Sequence, residues 1–365
     1  MPAFIDPPLH RRLDPATLKQ IFSVEAYEQV PEYEIVEIRA LSKTSVDGNE
    51  VEDVHLSAFG KDIYLHLKRN KVFENRLKHA KMYTAEMTDK GIQYIEVKDK
   101  VEDRGTAYQD IDKMAAVTIR RGENVQIQMD GTIGENLVVK PVPTDILVPQ
   151  SGVWFPRNFD AHNTNYTSIQ EESVAKYPHF LFHCAWGNSS KKSIRLSDFY
   201  AMINSSTTGG HRSKRSLVHY AFPEVLLLVD YDSYAVHEFS ETKTFNYLAS
   251  FFNGVDLRFK TLSNPQITLL LTNIIIAKSR GLMPYLEKNR MFLRSFNGRA
   301  ALADMAKHMF SARRGLPAHD LALLLTKLDM CSLDERSGRC NSTTAGTERA
   351  YFVNAFIHNR STPLK

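Results

Sequence analysis

Apolar and polar positions alternate with a period of two through much of the first third of the chain. Val54, Leu56 and Ala58 alternate with polar neighbours, and Ile63, Leu65 and Leu67 alternate with Tyr64, His66 and Lys68. Further on, Val125, Ile127 and Met129 lead to Asp130-Gly131, and Leu137-Val138-Val139 follow. Successive side chains of an extended chain point to opposite faces, so this period predicts strands with one buried face. Asp-Gly predicts the turn of an antiparallel hairpin. Residues 32–150 are therefore expected to form a β-rich antiparallel domain, with residues 1–31, which carry no sustained period, as a leader.

After about residue 215 the pattern changes. Glu224-Val225-Leu226-Leu227-Leu228-Val229-Asp230 is a short continuous apolar run between carboxylates, as in a strand buried on both faces. Phe245, Leu248, Phe252 and Phe259 recur near helical spacing, and Asn264-Pro265 punctuates them. A second buried strand is expected over Ile267 to Ile276. A second amphipathic helix is expected over Leu286 to Phe310, carried by Leu293, Phe296, Ala300, Ala303 and Met309. Leu321 to Leu325 reads as a third strand. The β-α-β-α-β order predicts an α/β unit. The whole is expected to be α+β: an antiparallel β-rich domain, a connector over 151–215 with aromatics at Trp154, Phe155, Phe180, Phe182 and Trp186, and an α/β domain over 216–365.

Composition narrows the function classes. With 43% hydrophobic and 24% charged residues over 365 positions, the chain has the make-up of a folded protein with room for two or three domains. A net charge of +4 is small for this length and spread along the chain, so it does not argue for nucleic acid, and no nucleic-acid partner is expected. No apolar run approaches the roughly 20 residues of a membrane-spanning helix. The N-terminus also lacks the apolar core of a signal peptide.

Arg212-Ser213-Lys214-Arg215, followed by Ser216, stands after the small polar run Asn204 to Gly210. Basic residues so spaced suit the acidic subsites of a furin-like convertase. Their position at a change of texture marks a processing site between a pro-region and a mature domain. The other reading is a solvated basic loop. Sequons at Asn165, Asn188, Asn204, Asn341 and Asn359 point the same way, toward glycosylation in the secretory route. Cys331 and Cys340 flank a polar, charged loop, so a local disulfide is expected in an oxidising compartment, with two reduced thiols as the alternative.

Three blocks resemble the reprolysin (adamalysin) zinc metalloproteases, among them the salivary metalloproteases of ticks. They are Glu224 to Asp230, Phe251-Phe252-Asn253-Gly254-Val255-Asp256-Leu257-Arg258-Phe259, and His319-Asp320 through Asp329-Met330-Cys331. In the first half, Tyr64-Leu65-His66-Leu67-Lys68-Arg69-Asn70 and Gly131-Thr132-Ile133-Gly134 are similar to that family's pro-domain. The resemblance covers about residues 32–345. It implies a metzincin-like catalytic fold after Ser216 and hydrolysis of extracellular proteins by a zinc-activated water.

That chemistry needs His-Glu-x-x-His on a helix, two metal ligands and a general base on one face. The sequence does not contain the motif. Its nearest approach, His237-Glu238-Phe239-Ser240-Glu241, ends in a carboxylate and is read as a solvated helix start. The expectation is therefore a partial catalytic domain that lacks the active-site helix, holds no zinc of its own and is inactive as it stands. The resemblance also implies that Cys184 occupies the zinc of the zymogen, although Phe182-His183-Cys184-Ala185-Trp186-Gly187 departs from the family's switch sequence and a buried thiol is the alternative. Glu224 and Asp320 fall where relatives contribute oxygens to a structural calcium, incomplete here. The leading expectation is a secreted zinc metalloendopeptidase precursor with a convertase as processing partner. One rival is a non-enzymatic secreted inhibitor or decoy that binds a sibling protease. Another is an unrelated intracellular α/β protein.

Overall fold

The computed structural model describes residues 8–44, 48–89, 91–98, 105–122, 127–147, 177–183, 219–263, 265–292, 294–333, 340–342 and 355–356. In chain order the first half contributes β1 (Tyr33–Glu37), β2 (Arg39–Thr44), β3 (Glu50–Ala58), β4 (Lys61–Arg69), β5 (Lys81–Thr88) and β6 (Gly91–Glu96). It continues with β7 (Thr106–Asp110), β8 (Ala115–Arg121), β9 (Ile127–Ile133), β10 (Leu137–Pro141) and β11 (Pro178–His183). The period-two residues behave as predicted: β3 and β4 pair antiparallel with Val54 opposite Leu65, and Val54, Leu56, Ala58, Leu65 and Leu67 are all buried. Their two-residue loop, Phe59-Gly60, has φ of 50° and 68°, the two positive values that a hairpin turn matched to strand twist requires.

Nine strands form the first sheet in the order β1-β11-β10-β9-β8-β7-β4-β3-β2, every pair antiparallel. The two ends of that order, β1 and β2, are separated in sequence only by Ile38, so the sheet must roll up on itself like a barrel. Val36, Leu56, Leu67, Val117, Met129, Val139 and Leu181 fill its interior.

Three expectations are corrected here. The segment read as a leader is folded: the helix Pro15–Phe22, capped by Asp14, places Leu18, Ile21 and Phe22 against Val142, Phe180 and Phe182. Its apolar positions are too few for a period to show. Pro178–His183, assigned to a connector, is β11, an interior strand between β1 and β10. Asp130-Gly131 lies inside β9, and the chain turns after Ile133, at 134–136. Gly131 serves close approach instead, because a Cβ there would stand 2.2 Å from the Ala116 carbonyl oxygen of β8. Trp154, Phe155, Trp186 and Val125 lie outside the described residues.

The second half adds β12 (Tyr220–Ala221), β13 (Glu224–Val229), β14 (Gln266–Ile267), β15 (Leu270–Ala277), β16 (Arg290–Phe292), β17 (Ser295–Asn297), β18 (Leu321–Leu325), β19 (Asp329–Leu333), β20 (Cys340–Ser342) and β21 (Ala355–Phe356). The second sheet runs β21-β18-β13-β15-β5-β6. Its four central strands are parallel, and the edge strands β21 and β6 are antiparallel to their neighbours. Being covered on both faces, β18 and β13 from Val225 onward are apolar, as their sequences predicted. The long helix Glu241–Lys260 and the helix Lys71–His79 cover one face through Phe245, Leu248, Phe252 and Phe73. Tyr285, Leu286, Phe296, Met305 and Met309 cover the other.

The order of strands cuts across the expected division of the chain. β5 and β6, from within residues 32–150, pair in the second sheet, β5 directly against β15. The helix expected over 286–310 is also divided. A short helix Pro284–Glu287 gives way to β16 and β17, and a helix restarts at Gly298 under an Asn297 cap. Phe296 is fully buried from a strand, not from a helix face. Leu293 is outside the described residues.

Candidate functional site

Where the two halves meet, the long helix turns a polar stripe inward. Asn253, Asp256 and Lys260 recur at helical spacing and share one face. Asn253 and Asp256 are 0% and 2% exposed, which an amide and a carboxylate tolerate only when satisfied. The first half satisfies them. Asn253 donates through Nδ2 to the carbonyls of Tyr108 (3.1 Å) and Val117 (3.3 Å). Gln109 donates through Nε2 to the Asn253 carbonyl at 2.8 Å, to its Oδ1 at 3.0 Å and to Asp256 Oδ2 at 3.2 Å. Asn70, which caps the helix Lys71–His79, donates to Asp256 Oδ2 at 2.9 Å. Lys260 closes the cluster, 2.8 Å from Asp256 Oδ2 and donating to Gln109 Oε1 at 2.8 Å. The buried carboxylate of Asp256 is thus matched by the half-buried ammonium of Lys260, with its polar neighbours engaged.

Lys260, Gln109 and Asn70 also line a groove of about 910 Å³ over the outer face of β3 and β4. On that face Asp53 Oδ1 meets His66 Nδ1 at 2.7 Å, and Asp62 meets His55 Nε2 at 3.2 Å. The His55 ring stacks on Tyr64 with centroids 4.4 Å apart. Hydrogen bonds from Lys43 and His66 hold the Asp53 carboxyl below its usual range. Asp53 and Asp62 are each matched to a histidine. Among the described residues no three His, Cys, Asp or Glu side chains converge as metal ligands.

At the carboxyl end of β13, Asp230 caps the helix Tyr231–Val236 by accepting from the Ser233 N–H at 2.8 Å. Thr326, just beyond β18, donates to its other oxygen at 2.7 Å. Complete burial pushes the Asp230 carboxyl up to about 6 against those two bonds. Next to it Asp232 joins Arg280 and Arg290 at 2.7 and 2.8 Å, and Arg290 also reaches Glu287. This network fixes the loops at the strand ends.

The predicted site residues separate into three groups. Glu224 and Asp320 come together: Asp320 Oδ2 accepts from the Glu224 N–H at 3.0 Å, and the Asp320 N–H donates to the Glu224 carbonyl at 2.8 Å. The carboxylate of Asp320 thus has a backbone donor that ties β13 to the start of β18. His237 and Glu241 do not share a helix. His237 ends one helix, Glu238 and Phe239 take positive φ of 55° and 53°, and Ser240 caps the next helix, which Glu241 opens. His237 is buried against Tyr247 and is not a solvated helix start. These residues do not fit a zinc ion. Arg212, Lys214, Arg215, Ser216, Cys184, Asn165, Asn188, Asn204 and Asn359 lie outside the described residues. Asn341 falls in β20.

Cys331 is disulfide-bonded and buried. In the β19–β20 pair, Cys331 stands opposite Ser342 and Leu333 opposite Cys340, so the two cysteines of the hairpin lie diagonally across it. Non-reducing peptide mapping is expected to return the Cys331–Cys340 crosslink. A Cys331–Cys184 peptide would overturn that pairing.

Gln109 and Lys260 carry no signal in the sequence, and Asn70 only ends a block of resemblance that does not mark it as the polar partner of a helix. They lie too far apart for any spacing to connect them. Asn253 and Asp256 stand within one of the blocks of resemblance, as polar interruptions on an otherwise apolar helix.

No family model matches the chain. A Bombyx mori protein named "A disintegrin and metalloproteinase with thrombospondin motifs like" is 30% identical over 370 residues, covering 94% of this chain and 53% of that protein. Venom metalloproteinase 3 of Eulophus pennicornis is 23% identical over 251 residues, 68% of this chain and 52% of its own length. Venom metalloproteinase 2 of the same organism is 26% identical over 184 residues, 50% of this chain and 37% of its own length. The chain spans about half the length, or less, of these curated relatives. With 30% identity to a metalloproteinase-like protein through 94% of its length, the chain belongs to the reprolysin-type metalloproteases.

Proposed function

We propose that the chain is the precursor portion of a secreted zinc metalloendopeptidase, in which residues before the basic site hold the α/β half until processing. The observation that carries this reading is the identity to a metalloproteinase-like protein running through 94% of the chain, both halves included. Two relatives carry venom in their names, which supports an extracellular destination, as do the sequons at Asn165, Asn188 and Asn204. No helix among the described residues is long and apolar enough to cross a membrane. Peptide hydrolysis by a zinc-activated water requires a His-Glu-x-x-His segment, which this sequence does not contain. That activity, like calcium binding near Glu224 and Asp320 or inhibition by Cys184, is proposed for the full family arrangement and not for residues 1–365 alone.

Two experiments test the proposal. Co-expression with a furin-like convertase is expected to cut after Arg215 and give a product that begins at Ser216. An uncut chain, with Arg215→Ala behaving identically, would remove the processing step. Purified residues 1–365 are expected to carry substoichiometric zinc and to leave extracellular protein substrates uncut. One tight zinc per chain with chelator-sensitive cleavage would overturn this, and His237 and Glu241 would then be the first residues to replace.

A further inference from the structure

The turn that joins the helix Gly298–Ala312 to β18 carries a second pair of basic residues, Arg313-Arg314, followed by Gly315. Buried side chains anchor the stretch at both ends: Met309 is 2% exposed and His319 is 8% exposed. None of the nine residues between them, 310–318, is buried, and none belongs to a strand. An endopeptidase draws the chain on each side of its cut into an extended conformation, so it needs a stretch that leaves the fold at little cost. Here the last turn of the helix must unwind and the Gly315 N–H must leave the Ala312 carbonyl (2.9 Å). The Pro317 and Ala318 carbonyls must also part from the side chains of His319 and Asn273 (2.7 and 3.0 Å). No core side chain need move. Lys307 offers the contrast: its side chain is 79% exposed, but it lies within the same helix between the buried Met305 and Met309.

The two arginines are held differently. Arg313 folds back on the helix, its guanidinium carbon 4.2 Å from the centre of the Phe310 ring and its Nη1 donating to the Phe310 carbonyl at 2.7 Å. Phe310 is 60% exposed and belongs to neither core cluster of the α/β half, so this cation–π contact accounts for a large ring at the surface. Arg314 is exposed, and its side chain has no hydrogen bond or ion pair among the described residues. Gly315 after it adds no side chain to hinder a cleft.

We propose that the Arg314–Gly315 bond is a cleavage site for an endopeptidase that reads a single arginine through a carboxylate in its primary pocket, while Phe310 keeps Arg313 from being read. Water adds across that peptide bond, leaving a carboxylate on Arg314 and an amino group on Gly315. The cut removes the chain's covalent link between β13 and β18, a parallel pair joined otherwise by backbone pairing and by the bond from Thr326 to Asp230. It therefore divides a sheet through its core, and the second sheet is then held together by contacts alone. As an off-switch for a peptidase this regulation rests on the proposed function; as a cleavage site it rests on the turn.

The test treats the full chain with a low ratio of trypsin under native conditions and identifies the products by N-terminal sequencing and mass. A new terminus at Gly315 is expected, formed about tenfold faster or more than any cut after Lys307, because only the turn opens without the core. Equal rates at the two positions would overturn the proposal. So would a Gly315 terminus that appears only after the far-UV circular dichroism signal is lost. In Arg314→Gln the cut should move to Arg313 and slow, since that side chain must first leave the Phe310 ring. Adding Phe310→Ser to Arg314→Gln is expected to speed the cut after Arg313 by about two- to fivefold, the worth of an exposed cation–π contact. Equal rates for Arg314→Gln with and without Phe310→Ser would remove Phe310 from the proposal. A cut after Arg215 produces a different terminus, Ser216, so the failure of either reading is seen separately from the other.

Discussion

Gly131→Ala is expected to destabilise the chain by about 3 kcal/mol or more, the range of forced overpacking or worse. Gly131 stands opposite Val117 in β8 and Val139 in β10. An added Cβ would lie 2.2 Å from the Ala116 carbonyl oxygen and 2.7 Å from the Val117 Cα, both backbone atoms, so no side chain can swing aside. The strands themselves would have to part. They carry the long helix, whose Gly254 lies over Ala116 and Thr132 and whose Asn253 is bonded to the Val117 carbonyl. The damage should therefore reach the junction between the halves. Gly134, in the same four-residue block, is the control. Its φ of 65° strains an alanine, but nothing lies within 4 Å of the added atom, and a loss of about 1 kcal/mol is expected. Urea unfolding followed by far-UV circular dichroism measures both. Equal losses for the two variants would mean that β8 and β9 do not approach so closely.

Mild acid is expected to loosen the barrel while tightening the α/β half. His179 is fully buried, accepts the Met129 N–H at Nε2 (2.8 Å) and meets the Tyr177 carbonyl at Nδ1 (2.9 Å). That arrangement requires a neutral ring, and burial pushes its pKa down to about 4 from 6.5. The unfolded chain protonates first. The stability it lends is therefore complete above about pH 6.5 and is lost as pH falls toward 4, a loss of about 3 kcal/mol. Asp230 has the opposite sign. Its carboxyl is raised from 3.8 to about 6, so the folded state binds the proton first and gains about 3 kcal/mol over the descent from 6 to 3.8. Global unfolding should show a muted pH dependence in that window. Hydrogen exchange, corrected for intrinsic rates, should show β9 to β11 opening while the backbone around Asp230 becomes better protected. His179→Gln should abolish the first response and Asp230→Asn the second. If His179→Gln leaves the acid loosening of β9 to β11 unchanged, the buried ring is not its source.

Local pattern reached furthest where one element buries itself without help from distant sequence. The apolar run Glu224 to Asp230, the phenylalanines of the long helix and Leu321 to Leu325 were legible because parallel strands and their covering helices repeat a simple burial rule. Period two identified strands in the first half but not their sheet, since alternation carries no record of the partner. Lys81 to Glu96 therefore read as part of the antiparallel domain, yet it completes the second sheet. The helix expected over 286–310 failed for another reason. Apolar residues from Leu286 to Met309 fall near a helical period, but Asn297 caps a fresh helix, and the strand before it places Phe296 in the core. Of the junction, Asn253 and Asp256 could be seen as polar residues on an apolar helix, whereas Gln109 and Asn70 become partners only through the fold.

The position of β5 also bears on how the protein is made. A ribosome delivers Lys81 long before Asn273, the residue it stands opposite, and the intervening chain takes on the order of ten seconds or more at about 5–20 residues per second. During that interval the barrel strands through β4 can begin to pair, but β5 and β6 form a two-stranded ribbon with no third strand. Isolated ribbons of that size are marginal in water. The nascent chain thus passes through a stage with one long unpaired strand edge. Translation speed between residues 97 and 273, a property of the message and not of the finished fold, becomes a determinant of yield. Synonymous changes that slow or hasten that stretch should alter how much protein reaches the folded state, with no change in its sequence.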